Sequence, residues 1–366
     1  IAILDYALRN NIGISTFVSV GNKADISAND LLLYWEGDPA TDVIVLYLES
    51  FGNPRRFARI AKRIARKKPI LAVKSGRTSA GTRAASSHTG ALASADVAVD
   101  ALFHQTGVIR TDTLEELFDV TVLLANQPVP TGRRVGVITN AGGPGILAAD
   151  ALESNGLTLP EFSEDLQSKL REVLSGEAST RNPVDLIASA GANEYAHCLN
   201  AMLESDEIDA VIASYIPASP RGTVEIAAAL REAAVQHQGK KTFLSVFMSY
   251  DDPTDLLGGK DVRIPTYLFP EAAAVALARA VRYGEWLNTP EGEIPTFDDV
   301  DKETGRQVVL KALERLGPEG GWLDSDDVET VLGSFGIHLP QSVVAQTADE
   351  AAQAAAQIGR PVAVKV

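Results

Sequence analysis

The chain has 366 residues, 45% hydrophobic and 22% charged, with a formal net charge of −15, which is ample for two or three globular domains. No run approaches the roughly 18 consecutive apolar residues of a membrane-spanning helix, and the acidic balance argues against a general nucleic-acid surface. The single cysteine, Cys198, excludes an internal disulfide or a cysteine-rich metal site and fits a reducing cytoplasm.

The start, Ile1-Ala2-Ile3-Leu4-Asp5-Tyr6, has no basic stretch and does not read as a signal peptide. The chain begins without Met, inside a helical pattern, and stops inside a strand pattern at Val362–Val366, as expected of a piece of a longer protein. Ala2–Asn11 reads as a helix, and Ile14–Val20 as a strand ending at the turn Gly21-Asn22-Lys23. Ala28–Trp35 returns to helix. Val43–Leu48 is a continuous apolar, β-branched run, the pattern of a strand covered on both faces. Pro54–Arg66 is a basic amphipathic helix, and Ile70–Lys74 a buried strand. A loop of small residues follows, then a helix over Asp96–Gln105, a short strand at Val108–Arg110 and a helix over Leu114–Ala125. The alternation predicts a parallel, doubly wound sheet.

Gln127-Pro128-Val129-Pro130-Thr131-Gly132 breaks both kinds of structure and reads as a linker. A second α/β unit opens with a strand at Arg134–Thr139, the Gly-rich turn Asn140–Gly145 and a helix over Ile146–Ser154. Strands at Ala210–Tyr215, Thr242–Phe247 and Thr266–Phe269 alternate with helices near Glu194–Leu203, Val224–Val235 and Glu271–Tyr283. Residues 287–303, rich in Pro, Gly and acid, read as a tether. Helices at Gly305–Leu316 and Ser325–Phe335, a strand at Val343–Ala345, a helix at Ala348–Ile358 and a strand at Val362–Val366 are too little for a whole domain.

Four places bear on chemistry. His88 sits among small residues, Ser86-Ser87-His88-Thr89-Gly90-Ala91, after a strand at the carboxyl side of the sheet. Imidazole there is reachable and nucleophilic near neutral pH. The alternative is a polar histidine in an ordinary loop. Glu49 ends the strand Val43–Leu48 on the same edge, where a carboxylate can fix the tautomer of an imidazole, or can simply be a solvated strand-end acid. The turn Thr139-Asn140-Ala141-Gly142-Gly143-Pro144-Gly145 joins strand to helix, and its glycines let backbone N–H groups and the helix dipole approach an anion. It has neither the Lys-Ser/Thr of a Walker A loop nor dinucleotide spacing. The loop Ser19-Val20-Gly21-Asn22-Lys23-Ala24-Asp25 either faces a ligand or is only a turn. Asn182-Pro183-Val184-Asp185 reads as a turn. His104, His197, His237 and His338 read as structural, Lys365 as a strand-end lysine, and no metal-ligand cluster is visible.

Together, Gly76-Arg77-Thr78, Ser87–Ala93, Gly107–Arg110, Leu114–Asp119, Ser19–Asp25, Thr139–Gly145 and Asn182–Leu186 resemble, in the same order, the NDP-forming acyl-CoA synthetases. These are the ADP-forming acetate–CoA ligases, relatives of succinyl-CoA synthetase. The resemblance covers nearly the whole chain. It implies two doubly wound, flavodoxin-like (succinyl-CoA synthetase-like) parallel-sheet domains plus the start of an ATP-grasp domain. Residues 1–128 resemble the phosphohistidine-bearing ligase domain, 132–286 the second ligase-CoA domain, 287–303 the linker and 304–366 the opening of the ATP-grasp domain. The family's amino-terminal CoA-binding domain and most of its ATP-grasp domain are missing from this pattern, so the piece alone is expected to be inactive.

The resemblance makes His88 the phosphoryl carrier and Glu49 its orienting carboxylate. Thr89, Asn140, Gly142, Gly143 and Gly145 become the phosphate-binding set. Ser19, Gly21 and Asn22 fall on the substrate and CoA side, and Lys365 at the place of a nucleotide-contacting lysine. It implies CoA, ATP/ADP and Mg2+, held mainly by parts outside this chain. The partners implied are small acyl-CoA, phosphate and nucleotide in a cytoplasmic homo- or hetero-oligomer, with no nucleic acid or membrane. The same ligase-like region also occurs fused to protein lysine N-acetyltransferases as an acetyl-CoA sensor, and a CoA-binding scaffold is the third reading.

Overall fold

Apolar runs become parallel strands wherever another strand or helix covers them. In the computed structural model, residues 2–10, 12–21, 25–76, 96–217, 220–248, 254–258, 263–293, 295–317 and 320–365 are described. They divide into two units, Ile1–Pro290 and Glu291–Val366.

In the first unit, β1 (Ile44–Leu48), β2 (Ile70–Lys74) and β3 (Ile109–Thr111) form a three-stranded parallel sheet in that order. β4 (Val135–Thr139), β5 (Val184–Asp185), β6 (Ala210–Tyr215), β7 (Thr242–Phe247) and β8 (Thr266–Tyr267) form a five-stranded parallel sheet. Its order is β5-β4-β6-β7-β8, the flavodoxin-like 2-1-3-4-5 arrangement, whose topological switch point lies between β4 and β6. Every residue of β4, β6 and β7 is buried, as strands covered on both faces require.

The helices of this unit are α1 (Ala2–Arg9), α2 (Ala28–Glu36), α3 (Pro54–Ala65), α4 (Asp96–Thr106), α5 (Leu114–Asn126) and α6 (Gly142–Ser154). They continue with α7 (Glu164–Arg171), α8 (Ala192–Glu204), α9 (Pro220–Gln236), α10 (Thr254–Leu257) and α11 (Pro270–Asn288). Helix α5 starts behind Thr113, whose hydroxyl accepts the Glu116 N–H at 3.0 Å, an N-cap. α7 was not expected from the sequence. Its apolar contribution is only Leu166 and Leu170, one turn apart, on an otherwise charged segment.

Helices α5 and α11 join the two sheets. One core cluster contains Leu71, Val73 and Ile109 of the first sheet, Leu117 and Val120 of α5, Leu277 and Val281 of α11, and Val135, Ile212 and Leu244 of the second sheet. Polar contacts follow the same path. Tyr283 donates to the Ala65 carbonyl at 2.6 Å, and Arg66 donates to the Leu287 carbonyl while its guanidinium lies 4.3 Å from the Trp286 ring centroid. Arg279 holds Glu116 at 2.7 Å.

These contacts also fix direction. Helix α5 begins just after the carboxyl end of β3 and ends at Gln127, whose side chain accepts the Phe243 N–H at the amino end of β7. Farther along α5 from its start, the Asp119 backbone carbonyl accepts the hydroxyl of Tyr267, the last residue of β8. It therefore runs antiparallel to both sheets, and the carboxyl edges of the two sheets point the same way.

Several sequence expectations are corrected. Ile14–Val20 forms no strand: Ile14, Phe17 and Val18 are exposed, and no described strand pairs with the segment, so its alternation has no ladder to join. β1 is not covered on both faces. It is an edge strand whose Val45 and Tyr47 are 37% and 53% exposed, opposite the buried Ile44, Leu46 and Leu48. Asn182–Asp185 is not only a turn, since Val184 and Asp185 pair with Ile138 and Thr139 of β4. Gly142–Gly145 is the first turn of α6 itself rather than a loop ahead of it.

In the second unit, α12 (Lys302–Leu316), α13 (Ser325–Ser334) and α14 (Ala348–Ile358) are helices as expected. Val343–Ala345 and 362–365 are not strands, because nothing described pairs with them; Val343, Val344 and 362–365 lie exposed. The buried residues of these helices are only Gly305 and Ala312.

Candidate functional site

In flavodoxin-like sheets, ligands sit outside the carboxyl ends of the strands at the switch point. Here that point is built by the end of β4, the start of α6 and the end of β6. Thr139 Oγ1 accepts the Ala141 N–H at 3.1 Å. The Asn140 side chain is buried and doubly committed: its amide donates to the Ile216 carbonyl at 3.0 Å and its oxygen accepts the Ile216 N–H at 2.9 Å. This pair of bonds ties the ends of β4 and β6 together across the switch point. Asn140 thus positions the turn, and the backbone of the turn is what remains for a ligand.

Helix α6 starts behind Ala141, which has no side-chain oxygen, and no side chain caps the helix. The first N–H groups of a helix have no internal partner. Pro144, in the third position, has no N–H to satisfy. That leaves the exposed Gly142 and Gly143 to present theirs, at the positive end of the helix dipole.

The three glycines have different reasons to be glycine. A Cβ on Gly145 would lie 3.1 Å from Thr139 Cγ2 and 3.6 Å from Pro183 Cβ, so this one lets α6 pack closely on its own strand. A Cβ on Gly143 would meet nothing within 4 Å. One on Gly142 would meet only Asp185 Oδ2, at 3.5 Å. Neither has a left-handed φ. Packing and backbone conformation therefore leave Gly143 unexplained, and an open approach to its N–H is what its missing side chain provides.

On the first sheet, Glu49 follows β1 and is exposed. Ser75, after β2, donates its N–H to the Leu48 carbonyl at 2.9 Å, so the two strand ends are tied beside Glu49. His88 and Thr89 lie outside the described residues, as does Asn22. Ser19 and Gly21 are exposed on the unpaired segment before α2. Because the two carboxyl edges point the same way, Glu49 and the Gly142–Gly143 backbone lie on the same side of the first unit. Lys365 lies in the second unit, exposed.

Three features were not read from sequence. Asp185 stands at the end of β5 beside Gly142, hidden in what looked like a turn. Ile187 has φ +63°, a left-handed conformation that a β-branched residue rarely adopts. Ser214 is fully buried at the end of β6, and its hydroxyl has no hydrogen-bond partner. The motif Asn182–Leu186, read as a turn and as part of the family resemblance, is the only sequence signal any of them left.

Away from this edge, Cys198 is buried in α8, and burial pushes its thiol up to about 12, which makes it unreactive. His197 contacts the Lys169 carbonyl at 2.7 Å, and burial holds His237 below the usual imidazole range. Among the described residues no group of three or more His, Cys, Asp or Glu side chains is placed to hold a metal ion. No described helix is long and apolar enough to cross a membrane.

Residues 1–124 match the succinyl-CoA ligase like flavodoxin domain, 135–263 the ligase-CoA domain and 314–366 the ATP-grasp domain. A 4-hydroxybutyrate–CoA ligase [ADP-forming] of Nitrosopumilus maritimus is 34% identical over 370 residues, covering 100% of this chain and 52% of that protein. Acetate–CoA ligase [ADP-forming] I of Archaeoglobus fulgidus is 34% identical over 372 residues with the same coverage. A solved structure titled as the dinucleotide forming acetyl-coenzyme A synthetase 1 of Ca. Korarchaeum cryptofilum, in complex with phosphate and ADP, superposes with a TM-score of 0.70 at 32% identity. It covers 78% of this chain and 62% of that one. The chain belongs to the NDP-forming acyl-CoA synthetase family. It spans about half the length of the curated relatives it matches. Within that family pattern, the first domain match ends inside α5 and the second begins at β4. The helix shared by the two sheets thus stands at the junction of the two family domains.

Proposed function

We propose that this chain is the phosphoryl-relay portion of an ADP-forming acyl–CoA ligase. The enzyme interconverts acyl-CoA, ADP and phosphate with acid, CoA and ATP. The observation that carries the reading is the uncapped Gly142–Gly143 start of α6 at the switch point, an anion site without mobile cations. Family membership supports the rest.

In this reading, phosphate attacks the acyl-CoA thioester carbonyl, the C–S bond breaks, and CoA leaves as acyl phosphate forms. A ring nitrogen of His88 then attacks phosphorus, and the P–O bond to the acyl group breaks, releasing the carboxylate. Glu49 accepts the N–H of the other ring nitrogen and stabilises the cationic phosphoimidazole. The N–H groups of Gly142 and Gly143, with Asn140 fixing the turn and Thr89 beside the carrier, hold the phosphoryl oxygens as charge develops. Finally a terminal oxygen of ADP attacks phosphorus, the P–N bond breaks, and ATP and neutral His88 result.

The same reading assigns Lys365 to nucleotide contact, and Ser19, Gly21 and Asn22 to the substrate and CoA side. Mg2+ would be held mainly by parts outside this chain, together with the phosphates of the nucleotide. The full protein works in the cytoplasm as an oligomer of like or unlike chains, the latter as the name subunit alpha states for two Pyrococcus furiosus relatives.

The deciding experiment is phosphorylation of the full-length protein by γ-labelled ATP and Mg2+. The label is expected on His88 as an acid-labile, base-stable adduct. Retention of that label by a folded His88→Ala protein would overturn the reading.

A further inference from the structure

A helix N-terminus favours any small oxyanion, and sulfate has nearly the size and shape of phosphate. The residue beside α6 that tells them apart is Asp185. It ends β5, in register with Thr139, so its carboxylate stands next to the α6 start. Oδ1 accepts the Ile187 N–H at 3.0 Å. That bond closes a short loop in which Ile187 is held at φ +63°, an unfavourable conformation kept only where the surroundings impose it. The other oxygen, Oδ2, lies 3.5 Å from where a Cβ of Gly142 would be. It caps nothing, since α6 has no side-chain cap. The carboxylate is thus anchored by one oxygen and presents the other to the space in front of the helix.

A second observation points to a ligand at the same edge. Ser214 pairs with Thr139 across the switch point. Along β6 its side chain alternates with Ala213 and Tyr215, so it lies on the face of Ala210 and Ile212, the face covered by Ala148 and Leu152 of α6. Its hydroxyl is fully buried and unpartnered. A buried polar group left so is costly, and a donor one strand from Thr139 at the switch point suits an oxyanion site.

We propose that Asp185 accepts the P–OH hydrogen of hydrogenphosphate bound at the α6 start, and thereby selects phosphate over sulfate. This rests on the reading above that the α6 start holds inorganic phosphate. Near neutral pH phosphate keeps at least one P–OH, whereas sulfate has none. A fixed carboxylate gains a charge-assisted hydrogen bond from the first and meets only like charge in the second. Sites built around one substrate hydrogen reject analogues that lack it far more strongly than size alone allows.

The test is equilibrium dialysis of labelled inorganic phosphate against the full-length protein, with sulfate as competitor. Sulfate is expected to displace phosphate only at about 100-fold higher concentration or more. In Asp185→Asn the Oδ1 acceptor for Ile187 remains, the new amide donates to either anion, and the ratio is expected to fall below about tenfold. Asp185→Ala should lose discrimination as well. Wild-type protein that binds sulfate as well as phosphate overturns the proposal without any variant. So does a folded Asp185→Asn protein that keeps the wild-type ratio. Gly143→Ala separates the two readings. If it leaves phosphate binding intact, the α6 reading fails. If it abolishes binding while Asp185→Asn still discriminates, only the Asp185 assignment fails.

Discussion

Gly143 and Gly145 sit two residues apart in one helical turn and make opposite predictions. At Gly145 an added methyl presses on Thr139 and Pro183, so Gly145→Ala is expected to cost about 1–3 kcal/mol in urea unfolding, as overpacking does. At Gly143 the methyl enters open space. Gly143→Ala should leave stability unchanged or raise it by up to about 1 kcal/mol, while phosphate-dependent ATP formation by the full-length protein falls at least tenfold. Loss of stability with unchanged activity in Gly143→Ala would remove the functional reason for this glycine. Asp119 makes a pH prediction. Burial, with Glu115 and Glu116 adding repulsion, pushes its carboxyl from 3.8 up to about 7. The native state therefore holds a proton that the unfolded chain has released. The contribution to stability is fully present below about pH 4 and is lost as pH rises through about 7. Asp119→Asn, with its neutral amide in the same place, should be more stable than wild type at pH 8, by up to about 4 kcal/mol, and equal to it near pH 4. A constant difference across that range would mean that the carboxyl does not titrate there.

Among the elements, those whose pattern is self-sufficient were legible in the sequence. β2, β4, β6 and β7 are apolar runs that could only be buried, and α5, α8, α9 and α11 carry long helical periods. The failures came where a strand needs a partner that the pattern cannot name. Ile14–Val20 alternates like a strand and pairs with none, while Val184–Asp185 looks like a turn and pairs with β4. The same limit applies to the site. Glu49 and the Gly-rich start of α6 were visible as local motifs. The roles of Asp185 and Ser214 depend on register across β5, β4 and β6, which no local window contains. The contact between α11 and the linker is another long-range feature. A Cβ on Gly284 would clash with the Pro130 carbonyl oxygen and lie 3.1 Å from Val129 Cγ1. Gly284→Ala adds helix propensity but forces α11 off the linker. A net loss of about 1–3 kcal/mol in chemical denaturation is expected, and a gain would show that the linker yields freely.

At the scale of the whole molecule, the two ligase domains are separable by family but joined by structure. Neither sheet owns α5 or α11. Residues of both sheets and both helices share one core, and residues 1–290 form one compact unit, 291–366 another. A domain that lends a helix to its neighbour cannot unfold without exposing the neighbour's core. Leu277, fully buried in α11, is the place to test this. Leu277→Ala should cost about 2–5 kcal/mol by leaving a cavity between the sheets. If the unit opens cooperatively, native-state hydrogen exchange will show the slowest amides of β2 and of β6 losing the same protection, by the full amount of the destabilisation. Amides of α12, in the other unit, should be unchanged. Loss of protection confined to β6 would instead mean that the sheets unfold separately. In that case their carboxyl edges would hold a fixed mutual direction only while α5 stays docked on both.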